Sequence, residues 1–303
     1  MKSDVQNFRS DLTGLYRRLS RRMEPLPSDL GANLRRMHGI RAVLFDVYGT
    51  LLISASGDID AASSMDPAEA LASALRSCGL SPSADAGATG AAMFEHEIRR
   101  CHAALRAKGR ECPEVDILSV WANVAKRLHG AGLIASGPDE ATLARLAIER
   151  ECRVNPVWVM PGALETLALL RERGIRLGIV SNAQFFTPIA IEALFGMPPA
   201  ALGFDGDLTA WSHQLGEAKP GLGLFRGPLE KLTAEGCTPD HIAFVGNDCL
   251  NDLFPAQTLG MRPILFAGDR RSLRLRESDA RCNAVRQTAV VITDLSQLQE
   301  AVV

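Results

Sequence analysis

The chain has 303 residues, of which 47% are apolar and 22% charged, a balance that excludes a disordered chain, a collagen and a coiled coil. Its length predicts one large domain or two modest ones. The formal net charge of -2 disfavours nucleic acid as the main partner, because proteins that bind it are usually basic. No apolar run approaches the roughly 18 residues of a membrane-spanning helix, and the N-terminus lacks the apolar core of a signal peptide. We therefore expect neither a nucleic-acid nor a membrane partner.

The seven cysteines are scattered along the chain and form no Cys-x-x-Cys pair. An odd number at irregular spacing predicts neither a disulfide framework nor a zinc site. We therefore expect a reducing compartment, the cytoplasm. The sequence leaves the oligomeric state open, with a homo-oligomer as one alternative.

Residues 1–40 are rich in charge and compatible with helix, and we expect them to form an N-terminal helical extension. Arginines cluster there, which indicates a solvated helix face, with an anion-binding or partner-binding arm as the alternative. Residues 42–45 are a short apolar run that ends at Asp46. This pattern is typical of a strand that is buried on both faces of a parallel sheet.

The next hundred residues carry a different pattern. Apolar side chains recur at helical spacing in four blocks, over roughly 66–77, 90–108, 114–129 and 139–153. Glycines separate the blocks, and no strand pattern interrupts them. We therefore predict an all-helical insert, residues 59–155, between the first strand and the rest of the sheet.

Apolar runs of the strand type return in the second half of the chain, at 177–180, 242–245, 263–266 and 290–292. Helical stretches such as 163–173 lie between them. Alternating strands and helices predict an α/β fold with a doubly wound parallel sheet. We assign this core to residues 41–58 and 156–303.

Polar side chains follow these strands, at the sheet edge where ligands bind in open α/β folds. Asp46 follows the first strand and Ser181 the second, while Asp248 and Asp252 follow the third. Lys219 lies in the loop between the second and third of these strands. One Asp after a strand is usually an ordinary loop residue, but five such groups in order indicate a functional site.

In these residues the chain resembles the haloacid dehalogenase superfamily. The matching motifs are Asp46-Val47-Tyr48-Gly49-Thr50-Leu51, Ser181 at a strand end, Lys219-Pro220, and the acidic pair within Gly246-Asn247-Asp248-Cys249-Leu250-Asn251-Asp252. All four occur in order over about residues 40–300, which makes the resemblance specific. It implies a Rossmann-like core, and the position of the helical insert is similar to that of the family's helical cap.

The resemblance implies a role for each motif residue. Asp46 would be the nucleophile that forms a covalent aspartyl intermediate, and Ser181 would hold an oxygen of the substrate. Lys219 would neutralise the negative charge around Asp46 and the substrate. Thr50 and Asn182 would support the substrate-binding loops.

A magnesium site is also implied. Its ligands would be Asp46, the backbone carbonyl of Tyr48, Asp248 and Asp252, since Mg²⁺ prefers oxygen ligands. The usual first acid of the fourth motif falls on Asn247, so Asn247 and Asp248 are alternatives for one ligand. We favour Asp248, because a charged carboxylate holds magnesium better than an amide.

Tyr48 departs from the pattern of the family's phosphatases, which usually carry Asp two residues after the nucleophile as a general acid–base. Tyr at this position is similar to the 2-haloacid dehalogenases. A halide leaves without a proton, whereas an alkoxide needs one, and a phenol with a pKa of ~10 is a poor acid near neutrality. The acidic pair Asp248 and Asp252 argues for a phosphatase, because a divalent ion relieves the repulsion between a carboxylate and a phosphate.

The leading prediction is magnesium-dependent hydrolysis of a small phosphorylated metabolite, with a phosphate ester as the small-molecule substrate. Two alternatives stay open. One is a metal-independent 2-haloacid dehalogenase, and the other is a degenerate family member that acts as a binding protein.

Overall fold

The computed structural model describes residues 2–56 and 65–303. Its strands are β1 Ala42–Phe45, β2 Leu52–Ser54, β3 Val157–Val159, β4 Arg176–Ser181, β5 Phe204–Trp211, β6 Ile242–Gly246, β7 Arg262–Phe266 and β8 Val290–Ile292. Its helices are α1 Lys2–Leu19, α2 Pro67–Ser77, α3 Ala86–Ala107, α4 Ile117–Gly130, α5 Glu140–Val154, α6 Ala163–Glu172, α7 Thr187–Phe195, α8 Pro199–Leu202, α9 Ser212–Leu215, α10 Gly223–Ala234, α11 Phe254–Thr258, α12 Ala280–Thr288 and α13 Leu298–Ala301. None of the helices in these ranges combines the length and the apolar character that a membrane crossing requires.

A parallel sheet forms the centre of the molecule, and in the described residues it has six strands in the order β5-β4-β1-β6-β7-β8. Side chains on β1 alternate between its two faces, as the pleat of a strand requires. Val43 and Phe45 lie in one apolar core with residues of α6 and α7. Ala42 and Leu44 lie in a second core with residues of α10. Helices thus cover both faces, and the predicted doubly wound α/β sheet is confirmed.

Strand β5 lies outside the predicted strands. It is the edge strand of the sheet and pairs only with β4 in the described ranges. Leu208 is buried, whereas Gly206 and Asp207 are exposed to solvent. An edge position lets polar residues enter a strand, so β5 lacks the continuous apolar run that marks the other parallel strands.

Helices α2–α5 follow each other between β2 and β3 and correspond to the four predicted helical blocks. Three of them begin at an aspartate whose side chain accepts a backbone N–H of the first turn: Asp66 for α2, Asp116 for α4 and Asp139 for α5. Such caps satisfy N–H groups that have no partner inside the helix. We call residues 65–154 the helical insert.

The chain enters and leaves the helical insert through a two-stranded antiparallel stem, β2 and β3. The buried Ser54 hydroxyl donates to Oδ1 of Asn155 at 2.8 Å, which ties the two ends of the insert together. The predicted boundary between residues 58 and 59 lies outside the described residues. The division into core and cap domains therefore stays a prediction.

The N-terminal extension is helical over α1 only, since residues 20–41, all of them described, contain no helix. Helix α1 packs on α5 of the insert and on α7 of the core. Arg17 donates through Nε to the carbonyl of Ala193 at 3.0 Å, and Arg9 pairs with Glu192 at 3.0 Å. Two arginines of α1 thus bind the core rather than solvent alone.

Candidate active site

The register of the sheet brings the predicted polar residues to one edge. Strand β1 lies between β4 and β6, and Phe45 is opposite both Ile179 and Val245. Asp46 follows Phe45 directly, and Ser181 comes two residues after Ile179. Because parallel strands end at the same edge, the two side chains meet: the Ser181 hydroxyl donates to Oδ1 of Asp46 at 2.9 Å.

Lys219 lies between two carboxylates at this edge of the sheet. Its Nζ donates to Oδ1 of Asp46 at 2.7 Å and to Oδ1 of Asp252 at 2.5 Å. A third hydrogen bond of 3.2 Å reaches the carbonyl of Val180 at the end of β4. The Lys219 side chain is only 2% exposed, so all three donors of the ammonium are used inside the protein.

The two oxygens of Asp46 have different surroundings. Oδ1 accepts from both Ser181 and Lys219, whereas Oδ2 accepts no hydrogen bond from the described residues. The carboxylate is therefore fixed in orientation through one oxygen. Its other oxygen is available to a ligand.

The charges in this cluster stabilise one another. Burial lowers the pKa of Lys219, but the negative charges of Asp252 and Asp46 outweigh burial and raise that pKa to about 12. Burial raises the pKa of Asp252 to about 7, against the opposing effect of the Lys219 charge. Lys219 is accordingly a cation at neutral pH and holds a positive charge next to Asp46.

Asp252 is held by the backbone at the end of β6. Its Oδ2 accepts the backbone N–H of Asp248 at 2.9 Å. Gly246 lies so close that a Cβ atom there would overlap the Asp252 side chain. The absence of a side chain at position 246 thus lets Asp252 reach Lys219.

Asp248 has a different environment from the one the magnesium prediction requires. Its Oδ1 accepts the backbone N–H groups of Leu250 and Asn251, where it caps a π-helical turn. Its Oδ2 pairs with the Arg276 guanidinium at 2.6 Å. Both oxygens are engaged and the charge is neutralised, so the structure places this carboxylate in a structural contact. Its metal role stays a prediction that the geometry does not favour.

Asn247, the alternative, faces the turn that follows Asp46. The Thr50 hydroxyl donates to Oδ1 of Asn247 at 3.1 Å, and Asn247 Nδ2 donates to the carbonyl of Ser272 at 2.6 Å. Gly49 in that turn has a φ of +82°, and a Cβ on it would overlap the Asn247 side chain. Glycine is thus required here for both conformation and space.

The oxygens that remain for a metal ion form a small set. They are the carbonyl of Tyr48, which accepts no hydrogen bond from the described residues, and Oδ1 of Asn247, which accepts one, beside the Asp46 carboxylate. The described ranges contain no group of three or more His, Cys, Asp or Glu side chains arranged to hold a metal. Mg²⁺ binds through one or two carboxylates and keeps several waters, so one carboxylate with two neutral oxygens fits it.

The side chain of Tyr48 points to a hydroxyl partner. Its OH lies 2.9 Å from Oγ1 of Thr187, at the start of α7. Burial raises the pKa of the Tyr48 phenol far above its ordinary value. Near neutral pH the phenol therefore keeps its proton and is a weak acid.

Asn182 supports the loop that carries Lys219. Its Oδ1 accepts the backbone N–H of Lys219 at 2.7 Å, and its Nδ2 donates to the Lys219 carbonyl at 3.3 Å. The peptide bond from Lys219 to Pro220 is cis. The contacts of Asn182 are those expected of a residue that supports a loop.

A cavity of about 440 Å³ lies between the helical insert and the core. Asn182 and Ala218, the neighbours of Ser181 and Lys219 in the chain, line its core side. Gln184 links the two sides, since its Nε2 donates to the carbonyl of Val115 at 2.9 Å and its Oε1 accepts the N–H of Ile117 at 3.0 Å. The cavity is thus next to the residues around Asp46.

Three residues that contact the site or line its cavity were not predicted from the sequence: Arg276, Thr187 and Gln184. Arg276 lies 28 positions from Asp248, and Thr187 lies 139 positions from Tyr48. Each acts through a contact between distant segments. No spacing or motif in one sequence signals such a contact.

Comparisons with known proteins identify one family and two curated relatives. A family model described as haloacid dehalogenase-like hydrolase matches residues 40–260. A glyceraldehyde 3-phosphate phosphatase of Methanothermobacter thermautotrophicus is 30% identical over 141 residues, which is 46% of this chain and 57% of that protein. A ribulose-1,5-bisphosphate 5-phosphatase of Halopiger xanaduensis is 27% identical over 144 residues, 48% of this chain and 56% of that protein. The chain thus spans little more than half the length of these curated relatives.

Solved structures support the fold. A 2-haloacid dehalogenase from Pseudomonas syringae pv. Tomato superposes with a TM-score of 0.55 at 23% identity, over 86% of this chain and 97% of that one. At this identity the similarity extends to the fold alone.

The packing of Asp252 against Gly246 leads to a stability prediction. In Gly246→Ala the new methyl group overlaps Asp252, and overpacking of this kind lowers the free energy of unfolding by about 1–3 kcal/mol. Gly130→Ala is the matched control, because Gly130 is the exposed last residue of α4 with no atom near its Cβ position. There alanine should raise the stability by about 0.5–1 kcal/mol through helix propensity. Urea unfolding measures both, and a Gly246→Ala protein as stable as the wild type would contradict the packing of Asp252.

Proposed function

Because the chain belongs to the haloacid dehalogenase-like hydrolase family, we propose that it hydrolyses a small phosphate ester through a covalent intermediate on Asp46. The observation that carries the proposal is the state of this carboxylate. Ser181 and Lys219 hold Oδ1, and Oδ2 accepts no hydrogen bond from the described residues. The intact contacts of Lys219 also favour an enzyme over a degenerate binding protein.

In the first step, Oδ2 of Asp46 attacks phosphorus. A bond forms between Oδ2 and phosphorus while the bond from phosphorus to the ester oxygen breaks, so the ester oxygen leaves with the electron pair. The Lys219 ammonium, 2.7 Å from Oδ1, lowers the repulsion between the carboxylate and the phosphoryl oxygens. The Ser181 hydroxyl keeps the carboxylate in its attacking orientation.

In the second step, water attacks the phosphorus of the aspartyl-phosphate. The bond from phosphorus to Oδ2 breaks, inorganic phosphate leaves, and the Asp46 carboxylate is restored.

Position 48 offers no strong acid, because the Tyr48 phenol has a pKa above its usual range. The ester oxygen that leaves in the first step therefore takes its proton from water, and esters of more acidic alcohols should react faster.

Magnesium is the cofactor we propose. Asp46, the Tyr48 carbonyl and Oδ1 of Asn247 would hold it, with Asp252 fixing Lys219 beside them. When bound, Mg²⁺ supplies positive charge that draws the phosphate dianion to the carboxylate. Asp248, the ligand that the sequence analysis favours, is the alternative to Asn247.

Several further observations support the proposal. The two curated relatives are named for the phosphate esters glyceraldehyde 3-phosphate and ribulose-1,5-bisphosphate. The helical insert covers the cavity next to Asn182, the position of a cap domain. All seven cysteines are free, as expected in the cytoplasm.

Tyr48 favours a second candidate, 2-haloacid dehalogenation without a metal. In that reaction Oδ2 of Asp46 attacks carbon and a halide leaves with the bonding electrons, so no acid is needed. A protonated phenol held by Thr187 would then form part of the substrate wall. Both candidates use the same nucleophile.

The nucleophile is the first residue to test. Asp46→Asn should reduce turnover of any substrate by several orders of magnitude with the fold intact, because an amide does not form the covalent intermediate. Asp207→Asn is the control, since Asp207 is exposed on β5 and its carboxylate pairs with Lys231 at the surface. Steady-state kinetics and far-UV circular dichroism compare the two. Near-normal turnover by folded Asp46→Asn would end the catalytic proposal.

The metal ligand can be identified with a pair of variants. Chelator should abolish wild-type turnover, and Mg²⁺ should raise the melting temperature. Asn247→Asp should lower the Mg²⁺ concentration at half-maximal stabilisation by about 10-fold, because a carboxylate replaces an amide oxygen. Asp248→Asn should keep the Mg²⁺ response and melt lower, because it weakens the contact with Arg276. Loss of the response only in Asp248→Asn would make Asp248 the ligand, and turnover of a haloacid with chelator present would select the dehalogenase.

Tyr48→Asp separates the two reactions. In a phosphatase the new carboxyl acts as a general acid, so turnover should rise most for esters with poor leaving groups and little for nitrophenyl phosphate. In a dehalogenase it should abolish activity, because it repels the carboxylate of the haloacid. A panel of phosphate esters and haloacids measures both effects. Unchanged rates on every substrate would place position 48 outside the chemistry.

A further inference from the structure

Arg150 is a cation of the helical insert that contacts no counter-ion among the described residues. It makes no hydrogen bond or ion pair with the described residues, and its Nε is buried without a partner. It lines the cavity that also contains Asn182 and Ala218, the neighbours of Ser181 and Lys219 in the chain. Buried polar groups are nearly always satisfied, so this unpartnered guanidinium needs an explanation.

The aromatic residues of the insert fix the position of the guanidinium. It lies 4.3 Å above the ring of Phe94 and 5.8 Å from that of Trp121, and the two rings stack at 4.3 Å. Three different helices, α5, α3 and α4, supply these residues. Stacking uses the face of a guanidinium and leaves the N–H groups at its edge free to bind oxygens in pairs.

The acidic residues near Arg150 act on it through space, without a hydrogen bond or ion pair among the described residues. Glu151 contacts Asn155, Glu114 contacts Ser212, and Glu95 is exposed, and none forms an ion pair with Arg150 in the described ranges. Burial raises the pKa of Glu151, which reduces the negative charge in the cavity. Burial lowers the pKa of Arg150, the charges of Glu151 and Glu95 oppose this effect, and a bound anion would oppose it further.

We propose that Arg150 binds a second anionic group of the substrate, so that the preferred substrate is a phosphate ester that also carries a carboxylate or a second phosphate. The reacting phosphoryl group would lie at Asp46, and the second group would lie in the cavity against the edge of the guanidinium. The substrate class rests on the proposed function. The anion site rests on the cavity and on Arg150 alone.

Non-hydrolysable ligands test the anion site without turnover. The probes are propylphosphonate, 3-phosphonopropionate and propane-1,3-bisphosphonate, titrated calorimetrically into the full chain with Mg²⁺. The wild type should bind one or both of the bifunctional probes about 10- to 100-fold more tightly than propylphosphonate, the range for hydrogen bonds to a charged group. The tighter of the two identifies carboxylate or phosphate as the second group. Equal affinity for all three would overturn the proposal.

Variants assign the discrimination to Arg150. Arg150→Met should bind all three probes within about threefold, and Arg150→Lys should retain part of the preference, because it keeps the charge but not the paired N–H groups. Arg145→Met is the matched control, since Arg145 is exposed on the same helix, and it should behave as the wild type. Thermal melts show whether each variant is folded. If Arg150→Met keeps the full preference for the bifunctional probes, the anion site lies elsewhere and the proposal is overturned.

Kinetics separate this inference from the proposed function. The kcat/KM for the phosphate ester of 3-hydroxypropionate should fall about 10- to 100-fold in Arg150→Met, while that for propyl phosphate stays unchanged. No turnover of any phosphate ester by the wild type, together with Arg150-dependent binding of the probes, would reject the phosphatase and keep the anion site. Equal losses on both esters would overturn the selective role of Arg150.

Discussion

A buried ammonium between two buried carboxylates is the interaction on which the site depends. Lys219 lies within hydrogen-bond distance of both Asp46 and Asp252, and its side chain is almost fully enclosed. Removal of Lys219 would leave two buried carboxylates without a counter-charge, and breaking a buried ion pair typically costs about 3–5 kcal/mol. The three residues come from the ends of β1 and β6 and from the loop before α10. The attraction between Lys219 and the two carboxylates therefore joins three separate segments of the chain.

The surrounding contacts set the position of this cluster. Asn182 holds the backbone of Lys219, Gly246 leaves room for Asp252, and Thr50 fixes Asn247 beside the turn after β1. Asp248 and Arg276 form a second ion pair that anchors the loop after β6. Asp252 and Asp248 each have a cationic partner, and Asp46 keeps one oxygen that accepts no hydrogen bond from the described residues.

Much of the architecture could be predicted from local pattern. The strands that contain Phe45, Val180 and Val245 are continuous apolar runs, and their common edge follows from parallel pairing, so the meeting of Asp46, Ser181, Lys219 and Asp252 was accessible from sequence order alone. The environment of Asp248 was not. Its partner Arg276 lies on a remote loop with a left-handed backbone, φ 51°, which no local pattern of L-residues signals. Strand β5 and the non-helical residues 20–41 depend likewise on tertiary contacts, which override local preference.

The position of α1 has a mechanical consequence. This helix packs simultaneously on α5 of the insert and on α7 of the core, with Leu12, Leu15 and Tyr16 buried. A rigid-body swing of the insert about the β2–β3 stem would have to pull one of these faces apart, and re-exposing each large apolar side chain costs about 1.5–3 kcal/mol. Helix α1 thus restrains motion of the helical insert relative to the core. A change in the width of the cleft therefore costs free energy, and a ligand that fits the existing width binds without that cost.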